Sequence, residues 1–275
     1  MATKYLSEGA TGFAAADWGG VAMAATDDFI IELPFGTIIG SELDQSGIVG
    51  GFESMTIKPG ASGTIGGGSN GSFIADFDND ANAFVSNRGN VTIYLQAGGD
   101  SATINNFDCG PGSVNYLMGG TFALVTMGGG TLTANASTII TDYWHTGGTS
   151  EIMYHATDAT EITITGGTLT LRRMPTTLNI QGGRVVFDPD DGEDFGSKTV
   201  NVTGGTLDWR AGAIPTVNAD GGNIDFSNNR RAFTPGSTAF NLTGSRIISH
   251  PDVPMTNVTP RGAFKTSVGD AESTP

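Results

Sequence analysis

The chain has 275 residues, with 13 Lys and Arg against 28 Asp and Glu, for a formal charge of -15. Such a balance repels phosphate backbones and anionic lipid, so nucleic acid and membrane surfaces are not expected as partners. Charged residues are only 15% of the chain, Gly numbers 42 and the apolar share is 38%; this composition excludes a helical or disordered chain and fits an all-β one with many tight turns.

Residues 1–30 read as an N-terminal arm and cap. The opening "MATKYLSEGATGFAAADWGG" has no apolar run of the signal-peptide kind, so no secretory leader is expected. It continues through "KYLSEGATGFAAADWGGVAMA" (4–24) to "FIIELPFGTIIGS" (29–41). A Tyr-Leu-Ser strand, a Gly-rich loop, a Trp and an Ile-Ile-x-Leu-Pro-x-Gly-Thr strand follow one another, carried by Tyr5, Leu6, Ser7, Gly9, Trp18, Pro34, Gly36 and Thr37. This stretch resembles the opening of many right-handed parallel β-helix proteins, including those encoded by tailed bacteriophages. The resemblance implies a short amphipathic helix in the arm that caps the open end of a coil stack and so covers an exposed β edge.

The region 40–160 has blurred boundaries. "GASGTIGGGSNG" (60–71) lacks the Lys and the following helix of a phosphate loop. "DFDND" (76–80) reads as a solvated acidic turn, with calcium as the lesser reading. Cys109 is the single cysteine, which excludes an intrachain disulfide. Glycine clusters at 98–99, 119–120, 128–130 and 147–148 space this region loosely. His145 and His155 stand ten residues apart with no third ligand in view, so zinc is not expected. Six N-x-S/T triplets, beginning at Asn70, Asn90, Asn135, Asn201, Asn241 and Asn257, read as by-products of an Asn/Thr-rich β chain.

From residue 162 the sequence repeats. "ITITGGTLTL", "LNIQGGRVVF", "VNVTGGTLDW", "VNADGGNIDF" and "FNLTGSRIIS" begin at 162, 178, 200, 217 and 240, at offsets of 16, 22, 17 and 23. Self-similarity near 20 residues is the mark of a solenoid. Within one copy, a hairpin about the Gly pair and a solenoid corner both place Ile162, Ile164, Leu169 and Leu171 on one face. The columns between copies decide for the corner. Thr163, Asn179, Asn201, Asn218 and Asn241 share one position, where parallel in-register stacking lets amides bond up a ladder. Leu171, Phe187, Trp209, Phe226 and Ser249 share another, facing inward, so Phe187, Trp209 and Phe226 form a core stack.

Outward columns carry charge. One is Thr170, Val186, Asp208, Asp225 and Ile248; the next is Arg172, Asp188, Arg210, Ser227 and His250. The favoured reading is a surface charge ladder that relieves the Asp208–Asp225 pair. The rival is an active site: Asp208 and Asp225 as paired carboxyls of a glycosidase, or acids with Arg210 and Arg172 as in a lyase resembling the pectate family. The long offsets come from "DPDDGEDFGSKT" (188–199) and "SNNRRAFTPGSTA" (227–239), expected to leave the coil at one edge and to touch, acid against Arg230-Arg231. The acidic run 188–194 is not a twelve-residue EF-hand loop.

Residues 251–275 hold four of the 11 prolines and no periodicity, and read as an extended tail that leaves the solenoid. The expected fold is therefore all-β: a right-handed parallel β-helix over 31–250, with an N-terminal cap and a C-terminal tail. No cofactor, metal or catalytic residue is expected. The resemblance implies a structural protein of a tailed-phage virion, assembled in the host cytoplasm and decorating the capsid or projecting from it. Its expected partners are copies of itself in a homotrimer, the major capsid protein or other virion proteins through the terminal segments, and host glycans. The alternative is a tailspike-type polysaccharide-binding or polysaccharide-degrading β-helix.

Overall fold

Stacked columns require the strands of successive copies to lie side by side in register, and the computed structural model of the chain has that arrangement. It describes residues 3–10, 17, 28–38, 54–67, 73–75, 84–97, 103–153, 159–189, 195, 197–211, 215–228, 240–249, 258–260 and 265–268. The chain forms two compact units, Met1–Trp144 with His155–Thr157, and His145–Tyr154 with Asp158–Pro275. Each is a parallel β-solenoid of the right-handed type. The helix implied for the arm falls outside the described residues, among which there is no α-helix.

In the second unit each coil has a leading strand, a glycine corner and a trailing strand. The leading strands Glu161–Ile164, Thr177–Ile180, Thr199–Val202, Thr216–Ala219 and Phe240–Leu242 pair in parallel, each on the next. The trailing strands Thr149–Ile152, Thr168–Leu171, Arg184–Phe187, Thr206–Trp209, Asn223–Asp225 and Arg246–Ser249 do the same. Ile164 lies beside Ile180 of the next coil, so each Gly pair is a corner and not a hairpin turn. Alternation then buries every second residue. Ile162, Ile164, Leu169 and Leu171 are at most 1% exposed, as are their counterparts in the next two coils. Burying a side chain of this size contributes about 1.5–3 kcal/mol.

The corners need glycine on two counts. Gly205 has φ +70°, in the left-handed region. A Cβ there would stand 2.6 Å from the carbonyl oxygen of Gly183, one coil below. The close approach keeps the backbone ladder running around the bend: Thr206 N–H donates to Gly183 O and Asn223 N–H to Gly205 O, both at 2.9 Å. These two corner donors are therefore satisfied by backbone carbonyls, whereas Gly221 N–H at the next corner donates to Ser245 Oγ at 3.1 Å.

The first unit stacks less regularly. One sheet runs through Thr3–Tyr5, Asp28–Ile31, Ser54–Ile57, Phe84–Asn87, Thr103–Cys109 and the second half of Val114–Met127. The other runs through Thr37–Ile38, Ser62–Ile65, Asn90–Ala97, the first half of Val114–Met127 and Thr131–Ala134. Val114–Met127 belongs to both, and its register slips at Gly119, where the strand bends from one sheet into the other. Asn90–Ala97 also receives Phe73–Ala75 against Leu95–Ala97. These two departures blur the coil boundaries of 40–160. The N-terminal arm is bonded into the first rung, with Leu6 N–H on Ile30 O at 2.9 Å and Gly36 N–H on Ala10 O at 2.8 Å.

Two short strands of the C-terminal segment fall among the described residues. Val258–Pro260 pairs with Phe240–Leu242, and Lys265–Val268 pairs with Arg246–Ser249, both in parallel. The stack thus extends past Pro251. Among the described residues Val258–Pro260 pairs only with Phe240–Leu242, and an edge strand is where proline, with no N–H to donate, is tolerated.

Candidate functional site

The charged columns lie on the outer face of the trailing sheet in the second unit. Asp208 and Asp225 are register partners on adjacent rungs, which would set two like charges side by side. Arginines separate their fates. Arg184, on the rung below, reaches up to Asp208 Oδ2 at 2.7 Å. Arg210, two residues on along the same strand, donates to Oδ2 at 2.9 Å and to Oδ1 at 3.2 Å. The Asp208 side chain has 0% of its surface exposed, while those of Arg184 and Arg210 keep 50% and 34%. Burial pushes the Asp208 carboxyl up, but the hydrogen bonds and charges of Arg210 and Arg184 outweigh it and hold the group below its ordinary value. Asp225 instead accepts from Ser227, through the backbone N–H at 2.8 Å and Oγ at 2.6 Å. Arg172 bridges Glu151 at 3.3 Å and Asp188 at 3.1 Å.

Of the expected sign alternation, Arg172 meets Asp188, whereas Arg210 bonds Asp208 on its own strand. The geometry fixes Asp208 as an ionised carboxylate sealed under two guanidiniums. It has no proton to give near neutral pH and no exposed oxygen for a sugar carbon. What it does chemically is hold charges in place across rungs. Arg184 was not singled out from the sequence. Its signal was diagonal: one rung below and two residues before Asp208, a separation that a long side chain spans.

On the leading sheet the asparagines bond in one direction. Asn241 Nδ2 donates to Asn218 Oδ1 at 2.8 Å, Asn218 to Asn201 at 3.0 Å and Asn201 to Asn179 at 2.9 Å. Asn179 ends the run on Glu161 Oε1 at 2.8 Å and Thr163 Oγ1 at 3.3 Å. Inside, the Phe187 and Trp209 ring centroids are 4.4 Å apart, and Phe226 is fully buried on the next rung. The insertion 188–199 adds Phe195, whose ring meets Phe187 at 5.9 Å and Trp209 at 5.6 Å. That anchor was hidden because an insertion has no period to betray which residue turns inward.

His145 is buried at the start of the second unit, its Nδ1 3.2 Å from Ser150 Oγ. Burial lowers its pKa to about 4, against a smaller opposing effect from a hydrogen bond with the Gly148 backbone. The Cys109 thiol is buried and pushed well up by desolvation, then by Asp108. His155, the turn 76–80, most of the acidic run 188–194 and Arg230-Arg231 lie outside the described residues, as does the expected contact between the two insertions. Among the described residues no group of three or more His, Cys, Asp or Glu could hold a metal. No family model, no curated protein and no solved structure matches this chain.

Proposed function

We propose that the protein is a non-enzymatic structural component of a tailed-phage virion, decorating the capsid or projecting from it. The observation that carries this reading is the N-terminal segment: the stretch that resembles phage β-helix openings is hydrogen-bonded into the first rung of a parallel stack. The asparagine column and Asp208 of the second unit support it, because these polar groups are spent on holding coils together. Asparagines bond asparagines, and Asp208 is consumed by Arg184 and Arg210. The terminal segments attach the protein to the major capsid protein or other virion proteins.

The test is sedimentation from the native source, followed by identification of the fraction that holds the protein. Many copies per phage-sized particle are expected. A few copies per particle would move the reading to a tail spike and call for a glycan-cleavage assay. A chain that stays in the soluble fraction overturns the virion reading.

A further inference from the structure

In the first unit, the strands Asn90–Ala97 and Val114–Met127 bring two tyrosines together. The register sets Tyr116 beside Tyr94, flanked by the pairs Asn115 with Ile93 and Leu117 with Leu95. Ile93, Leu95 and Leu117 are fully buried, so strand alternation turns both tyrosines outward. Their rings stack, with centroids 4.5 Å apart and planes 12° from parallel. Both residues are half-buried, so part of each stays open to solvent. The backbone beneath them is pinned. Asn115 accepts from Asn87 Nδ2 at 2.8 Å and donates through its own Nδ2 to Ser113 Oγ at 2.8 Å, all within the core. The rings therefore stay paired for as long as the coils stay stacked.

Stacking alone does not call for the hydroxyls, since phenylalanine offers the same ring face. What tyrosine adds is an oxidisable phenol. On losing one electron and one proton it becomes a phenoxyl radical, with its unpaired electron shared by the ring carbons ortho to oxygen. Two such radicals that meet face to face join through those carbons. In free solution the meeting is diffusional; here the ladder holds both rings in the encounter geometry, the usual advantage of positioned reactants. We propose that Tyr94 and Tyr116 form an oxidative cross-linking site, at which a one-electron oxidant joins the two rings as an intrachain dityrosine. The oxidant class is a haem peroxidase with hydrogen peroxide, and the step balances. Each tyrosine gives up one electron and one proton, and one ortho carbon–carbon bond forms. The hydrogens on the joined carbons move to the phenol oxygens as the rings regain aromaticity. One peroxide takes up the two electrons and two protons and leaves as two waters. The link closes the chain between residues 94 and 116, and constrains the unfolded state as a disulfide would. With Cys109 as the single cysteine, this chain can form no intrachain disulfide of its own. The inference goes beyond the virion reading and does not rest on it.

The test treats the folded, dilute full chain with hydrogen peroxide and a haem peroxidase, then reads dityrosine fluorescence in the monomer fraction and maps the joined peptides. The monomer is expected to gain the fluorescence, with the peptides holding Tyr94 and Tyr116 joined. Tyr94→Phe and Tyr116→Phe keep the ring stack, and each is expected to abolish the monomer signal with an unchanged circular dichroism spectrum. Tyr5→Phe, at a tyrosine that is 50% exposed, is expected to leave the signal intact. The linked chain is expected to unfold at higher urea than the untreated one. A monomer without dityrosine overturns the proposal, and so does a signal that survives either phenylalanine variant of the pair. Should those variants fail to fold, the wild-type peptide map decides, and a link between any other tyrosines overturns the proposal. An unchanged urea midpoint in the linked chain overturns its role as a staple.

Discussion

At Asp208 burial and ion pairing oppose one another, and the pairing prevails. Removing its charge leaves two guanidiniums facing a neutral partner, so Asp208→Asn is expected to lose about 1–3 kcal/mol in urea unfolding. Its pKa is lowered on folding, so its contribution is present above the ordinary value of 3.8 and is lost as pH falls through the still lower folded value. The gap between wild type and Asp208→Asn should therefore close in strong acid. His145 acts over a different window. Its pKa falls from 6.5 to about 4 on folding, so the unfolded chain takes up the proton first. Stability is then full above 6.5 and drops as pH falls toward 4, by about 3 kcal/mol at the limit. Urea unfolding at several pH values checks this, with His145→Met expected to abolish that part of the slope. The outward position of Asp208 was legible from strand alternation. Its burial was not, because that depends on how far Arg184 and Arg210 reach over it.

The element of this fold is the coil, and two sets of variants probe it. Asn201→Asp cannot donate to Asn179 and sets a carboxylate against its oxygen. A loss of about 1–3 kcal/mol is expected near neutral pH, shrinking below about pH 4, where the protonated acid donates again. At the corners, Gly244→Ala and Gly205→Ala place the same methyl at nearly the same φ, +71° and +70°. A Cβ at Gly244 meets nothing within 4 Å, whereas one at Gly205 meets backbone at 2.6 Å. Gly244→Ala should cost about 1–2 kcal/mol and Gly205→Ala distinctly more; equal costs would show that φ alone matters. The coils from 162 onward were legible because at least two of three signals coincide in each: period-two apolar alternation, a Gly pair, and a place in the asparagine column. Coils outside that repeat were not. Val114–Met127 bends at glycines inside a continuous strand, and Lys265–Val268 joins the trailing sheet without a Gly pair before it. Parallel pairing there rests on a neighbour already in place, which local sequence does not encode.

At the scale of the whole molecule, charge is unevenly shared along the chain. Residues 1–144 hold only three bases, Lys4, Lys58 and Arg88, against half of the 28 acids. Self-repulsion should therefore weigh on the first unit. Raising salt from about 0.01 M to about 0.15 M shortens the screening length from about 30 Å to about 8 Å. The unfolding temperature is expected to rise by roughly 2–4 °C, the shift that about 1 kcal/mol produces in a chain of this size. Scanning calorimetry reads it directly, and a fall would show that ion pairs such as Arg88–Asp108, at 2.6 Å, outweigh repulsion. The asparagine column has an orientation as well as a position. Every described amide in it hands its proton toward the N-terminus, the end that leaves the ribosome first. The acceptor is thus in place before its donor is made, and the unfinished end of the column is always an oxygen, which water satisfies readily. The stack can lengthen one coil at a time, each new asparagine closing onto the last.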